Sequence, residues 1–340
     1  MAVSSPKLDL RPFVDDVRTA VDAYNLGRPG AYARWRRPPP GPNSDTGLNP
    51  YGCADAANLL YTLGDFPRQP AQRDGFIQTL RGFQDPDSGL FHEPTHHEYH
   101  CTAHCVAALE LFDASPRHPL RALHGLLGPG ALETFLDQLD WRGDPWKMSH
   151  RGAGAYAALV IARQAPPEWQ DRYFQWLWAE ADEATGLWRR GCVPAEPTPT
   201  SHPFHHLAGT FHYLFNHEHA RRPLRYPRPM IDTCLGLWDR RLWPLGGAVS
   251  FSEIDWVYCI TRALRQSGHR FDDCRQALCE FAREYVGFLT SLDVASDPRC
   301  DDLHAVFGCC CALAELQQAV PGLLRTERPL NLVLDRRPFI

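Results

Sequence analysis

Tyr99-His100-Cys101-Thr102-Ala103-His104-Cys105-Val106-Ala107-Ala108-Leu109-Glu110-Leu111 has a polar start, small residues at helical spacing and an apolar finish. Five further segments share that character: residues 51–63, 149–162, 204–214, 252–264 and 301–313. A leucine near the end of each segment can be matched, at Leu63, Leu111, Leu159, Leu214, Leu264 and Leu313. The steps between them are 48, 48, 55, 50 and 49 residues, too regular for accident. Between the segments lie amphipathic stretches at residues 76–83, 133–139, 169–181, 230–240 and 272–292. Their apolar residues recur at three and four, as one-face-buried helices require. The alternation predicts an all-α chain, an (α/α)6 toroid of about six outer/inner hairpins. An open solenoid of helix pairs fits less well, because no polar capping repeat is present. Residues 1–320 are expected to form that one domain, with 321–340 a tail packed on it.

Composition narrows the function classes. The chain is 44% hydrophobic and 22% charged, enough apolar surface for a large core. Its net charge is −5, and no basic block extends beyond Arg34 to Arg37, which argues against nucleic acid. No stretch approaches eighteen apolar residues and Met1 to Leu10 lacks a signal pattern, so a cytoplasmic protein without membrane insertion is expected. Twelve cysteines, with no CxxC pair, then read as free thiols. The prolines cluster at residues 38–42, 194–203 and 223–229, where the chain must reverse.

A turn signature recurs before the inner segments: Asp45-Thr46-Gly47-Leu48, Asp87-Ser88-Gly89-Leu90 and Ala184-Thr185-Gly186-Leu187. Glycine supplies a positive φ, and an Asp or Thr side chain can bond the turn's backbone.

The register also aligns side chains. Nine residues before the matched leucine stand His150, His205, Asp255 and His304 in the last four repeats. The first two give Ala54 and Thr102, with Gly52 and His100 two residues earlier. With 16 histidines in 340 residues, chance would put fewer than one histidine at six positions. Histidine is also a poor helix cap, so a cavity is the better reading. One turn later come Ala56, His104, Gly154, Gly209, Cys259 and Gly308, mostly small, as crowding helices need. Helix N-termini around such a cavity attract anions and keep imidazoles neutral. The expected catalytic residues are therefore His100, His150, His205, Asp255 and His304. Tyr99, Arg151, His206, Glu253, Trp256, Asp301 and Asp302 are expected to bind substrate. His304 and Asp255 stand on neighbouring helices and are expected to form a hydrogen-bonded acid–base pair. A divalent metal, zinc foremost, has candidate ligands in His100, His104, Asp255, Cys259 and His304. His100 and His104 share one helix face at i, i+4.

Ala181-Asp182-Glu183-Ala184-Thr185-Gly186-Leu187-Trp188 resembles the aspartate–TGLW turn of six-hairpin glycosidases, including unsaturated glucuronyl and rhamnogalacturonyl hydrolases. Gln84-Asp85-Pro86-Asp87-Ser88-Gly89-Leu90-Phe91 looks like a second copy. The resemblance implies a sugar held at one end of the ring and an aspartate that protonates or hydrates it. Asp255 stands nearest that aspartate by position, though no motif matches it. Phe83-Gln84 followed by Gly89-Leu90-Phe91 is similar to the repeat of squalene cyclases and protein prenyltransferases. Asp301-Asp302-Leu303-His304 resembles the helix carrying the zinc histidine of the prenyltransferases, but no DxDD acid motif is present. The leading expectation is a carbohydrate-active hydrolase, lyase or epimerase using His/carboxylate chemistry on an anionic small-molecule or oligosaccharide substrate. The alternatives are a metal-dependent isoprenoid cyclase or prenyl-transfer enzyme, and a non-catalytic toroid binding protein.

Overall fold

The computed structural model describes residues 7–38, 46–336 and 339. Asp45 of the first turn, residues 39–42 of the first proline cluster and the opening residues 1–6 lie outside them. The chain is all-α. Thirteen α-helices are present among the described residues. Six are buried on almost every side: α2 (Pro50–Leu63), α4 (Glu98–Leu111), α6 (Pro145–Ile161), α8 (Pro203–Ala220), α10 (Ser252–Gln266) and α12 (Leu303–Ala319). These contain the six segments of the repeat, except that Ala162 falls just past α6 and Asp301 and Asp302 precede α12. The helices between them expose one face: α3 (Pro70–Gly82), α5 (Ala131–Asp137), α7 (Pro167–Glu180), α9 (Pro227–Asp239) and α11 (Phe271–Leu289). Ahead of the repeat stands α1 (Arg11–Ala23), an amphipathic helix that the register left unassigned. Last comes the short α13 (Val333–Arg336). No helix among the described residues is long and apolar enough to cross a membrane.

Contacts between the buried helices follow a cyclic order. α2 packs on α4, α4 on α6, α6 on α8, α8 on α10, α10 on α12, and α12 on α2. Glycines inside α6 and α8 make close approach possible there. A Cβ on Gly154 of α6 would sit 2.9 Å from the Tyr99 carbonyl oxygen of α4. One on Gly209 of α8 would sit 2.9 Å from that of Pro145 in α6. Thiols take the same place elsewhere: Cys105 points at the Pro50 carbonyl (3.9 Å) and Cys259 at that of Leu207 (3.7 Å). None of the twelve cysteines forms a disulfide, as expected from the sequence.

Early and late parts of the chain join. Leu8–Asp9 pairs in parallel with Leu324–Arg325, and the Leu303 amide donates to the Arg34 carbonyl at 2.9 Å. Arg34 also binds Asp302 through two bonds of 2.9 and 2.8 Å. Past α12, the Asn331 amide donates to Thr62 on α2. Asp335 of α13 takes a 2.7 Å bond from Arg262, a fully buried guanidinium that also binds Glu315 of α12.

The glycine turns form with a different carboxylate from the expected one. Asp85 accepts from the Ser88 amide and hydroxyl (2.6 and 2.7 Å), and Asp182 accepts from those of Thr185 (3.0 and 2.8 Å). Gly89 and Gly186 then take φ of +79° and +73°. The first residue of each Asp-x-x-Ser/Thr-Gly run reaches the turn amides, so it closes the turn. Helix capping falls to Asn49, His97, Asp144, His202 and Asp302 rather than to the aligned histidines.

Candidate functional site

Near the N-terminal ends of α4, α6, α8, α10 and α12, side chains converge on a cavity of about 110 Å³. It is lined by His96, His100, His150, His212, Asp255 and His304, with Trp146 and Phe251. Four of the predicted residues therefore meet: His100, His150, Asp255 and His304. The cavity shares His96, Trp146 and His150 with a cleft of about 620 Å³, whose rim carries Lys147, Arg151, His205 and Asp144.

Two groups of donor atoms surround this space. His100, His150 and His212 come from three successive buried helices, with ring centroids 4.3, 4.7 and 5.3 Å apart. One nitrogen of each lies within 4.8 Å of the others. Two of the rings have fixed neighbours at Nδ1. His100 Nδ1 meets the Tyr51 hydroxyl. His212 Nδ1 lies 3.0 Å from Ser149 Oγ and 3.1 Å from the Ala208 carbonyl. The other group is Asp55, His104 and His304. Asp55 Oδ1 accepts from His104 Nε2 at 2.9 Å and from His304 Nδ1 at 3.0 Å, and its Oδ2 lies 3.2 Å from the same His304 nitrogen. Tyr51 lies between the groups, 6.0 Å from His100 and 4.9 Å from His304 by ring centroid.

Electrostatics separate the two groups. Burial pushes His96, His100 and His212 well below the ordinary imidazole range and His150 down to about 3. These rings are neutral near pH 7, as expected. The leading cause is loss of solvent. Burial also opposes ionisation of Asp55, but His304 and His104 outweigh it and hold the carboxyl well below its usual range. Asp255 behaves oppositely. It is 1% exposed, and neither carboxylate oxygen has a hydrogen-bond partner among the described residues. Burial, with Glu253 nearby, drives its pKa well above the carboxylate range.

The expected Asp255–His304 hydrogen bond is absent among the described residues. α12 packs on both α10 and α2, and the His304 ring turns its Nδ1 to Asp55 on α2. Other predicted residues sit elsewhere. His205 and Arg151 line the outer cleft. His206, one residue on and about 100° round the helix, is buried beside Trp141 with Nδ1 3.0 Å from the Trp188 carbonyl. Trp256 turns away likewise, against Trp238 and Phe281, and its Nε1 donates to Cys234. Tyr99 packs beside His97 and Phe135. Glu253 accepts from Ser250 Oγ at 2.6 Å, and burial pushes it up to about 6. Asp301 pairs with Arg36 and Arg37, and Asp302 pairs with Arg34 and caps α12. Gly52 packs beneath Ala33, whose carbonyl oxygen would lie 2.3 Å from an added Cβ. Cys259 bonds the Leu207 carbonyl, so the Asp–Cys–His ligand set is not assembled.

The register missed Asp55, His96 and His212. Asp55 is one residue past the aligned Ala54. His212 follows His205 by seven residues, two helical turns on, and His96 begins an i, i+4, i+8 series with His100 and His104. Those spacings were the available signals.

Compared with known proteins, the chain matches no family model, no curated protein and no solved structure.

Proposed function

We propose that the six buried helices form the inner ring of an (α/α)6 toroid, and that the cavity at their N-terminal ends is the active site of an acid–base enzyme acting on a uronate-like sugar. The cyclic contacts between α2 and α12 support the ring. One observation carries the chemistry. His304 is held through Nδ1 by the buried Asp55 carboxylate, and it faces the same small cavity as the unpaired Asp255, whose pKa burial raises. A carboxylate that accepts from Nδ1–H fixes the tautomer and leaves Nε2 as the basic nitrogen. His304 Nε2 would take the proton on the carbon beside a substrate carboxylate. Asp255 would give its proton either to the departing oxygen, which yields an elimination, or to the opposite face of that carbon, which yields an epimer. Acid and base on separate helices is the division such a reaction needs.

The substrate class follows from the cleft. Lys147 and Arg151 supply cationic groups at its rim, and Trp146 offers an apolar face shared with the cavity. About 620 Å³ suits a sugar or short oligosaccharide. The resemblance of the Asp182 and Asp85 turns to those of six-hairpin glycosidases points the same way.

Incubating the protein in D2O with mono- and disaccharide uronates tests the reading by NMR. Loss or exchange of the hydrogen beside the carboxylate is expected. It should fall about a hundredfold or more in His304→Ala and Asp255→Asn. No reaction with any uronate by the folded protein, or full activity in both variants, would overturn it.

A further inference from the structure

We infer that His100, His150 and His212 bind a divalent first-row transition-metal ion, with zinc the expected occupant. The site is distinct from the Asp55–His304 pair and does not depend on the acid–base reading above. Three imidazoles from α4, α6 and α8 present one nitrogen each within 4.8 Å. Ligands on a tetrahedral ion with bonds of about 2.0–2.1 Å lie about 3.3 Å apart. Small ring rotations therefore close the site without moving a helix.

The surroundings suit an ion. His100 and His212 are held at Nδ1 by the Tyr51 hydroxyl and by Ser149 with the Ala208 carbonyl, which leaves the other ring nitrogen of each for a ligand bond. Outer contacts of this kind orient metal-bound imidazoles. Three protein ligands leave a position open to the 110 Å³ cavity, the arrangement of a catalytic rather than a structural zinc site. Asp255, buried and unpaired, faces the same space and can hydrogen-bond water on the ion. Imidazole ligands select zinc, copper, iron or nickel over magnesium or calcium.

The other group lacks these features. In the Asp55 group both histidines already spend a ring nitrogen on the carboxylate, at 2.9 and 3.0 Å. Those donor atoms satisfy one another.

The test reads metal content and cobalt spectra, not turnover. Protein stripped by a chelator is loaded with zinc, desalted and analysed by plasma mass spectrometry. About one zinc per chain is expected in wild type and in Asp55→Asn, and under about a tenth in His150→Ala and His212→Ala with native circular dichroism. Should either alanine variant fail to fold, cobalt(II) loading of wild type decides: intense visible absorption of a four-coordinate ion is expected. A folded wild type that retains no zinc and gives only the weak spectrum of aqueous cobalt would overturn the site. So would alanine variants that load normally, or Asp55→Asn losing zinc while His150→Ala retains it.

Discussion

Asp55→Asn puts the arrangement to its sharpest trial, because it changes one proton and almost no volume. In the native chain the carboxylate is an acceptor only. It takes bonds from His104 Nε2 and His304 Nδ1 at 2.9 and 3.0 Å, in a site with no solvent exposure. An amide offers one acceptor and one donor. Since both native oxygens lie within 3.2 Å of His304 Nδ1, an amide N–H there is expected to turn Nδ1 into an acceptor and send the ring proton to Nε2. His304 then has no basic lone pair facing the cavity. Where a carboxylate–imidazole pair has been altered in this way, the wrong tautomer costs about 10⁴ in rate, or about 5.5 kcal/mol of barrier. Stability should change far less. Hydrogen bonds to a charged group contribute about 1.5–3 kcal/mol and neutral ones about 0.5–1.5, and relief of a buried charge offsets part of the difference. A net loss of about 1–3 kcal/mol at pH 7 is expected. The pH dependence has a definite sign. The folded-state pKa of Asp55 lies below its unfolded value of about 3.9, so its contribution is full above that pH and lost as acid protonates it. Asp55→Asn should remove that part of the acid sensitivity. Nitrogen-15 spectra of labelled imidazoles, with urea unfolding at several pH values, measure both effects. If His304 of the wild type already carries its proton on Nε2, or keeps it on Nδ1 in the variant, the orienting role is refuted.

Two further outcomes follow from packing and burial. Gly154→Ala places a methyl 2.9 Å from the Tyr99 carbonyl oxygen, which is backbone and can yield only if α4 and α6 separate. Overpacking of this kind should cost about 1–3 kcal/mol in urea unfolding and weaken zinc retention, since His100 and His150 stand on those two helices; unchanged stability would mean the helices are not in contact there. His217, packed against Phe174 and Trp188, is pushed down to about 4 by burial, against about 6.5 in an unfolded chain. Its contribution is therefore full above about pH 6.5 and lost as pH falls through 4, by up to about 3 kcal/mol. His217→Gln should flatten the stability profile over that window, and identical profiles would count against burial as the cause.

Much of the architecture is legible in the chain because helical periodicity is local. Small residues at helical spacing, the near-fifty-residue leucine register and the amphipathic stretches between are set by 3.6 residues per turn, whatever the helices pack against. The same register brought out His150, Asp255 and His304, and with a two-residue shift His100; the four meet in one cavity. Rotation about each helix axis was not legible. A step of one residue turns a side chain about 100°, which separates His205 at the cleft from His206 in the core, and Asp255 at the cavity from Trp256 behind it. Partner choice across helices was not legible either. His304 could have met Asp255 on one neighbour or Asp55 on the other, 249 residues away in sequence, and only the packing of α12 between α10 and α2 selects Asp55. Spacing within a segment determines which residues share a face, whereas the protonation states of Asp55 and Asp255 depend on neighbours and solvent exclusion, which exist only once the chain has folded.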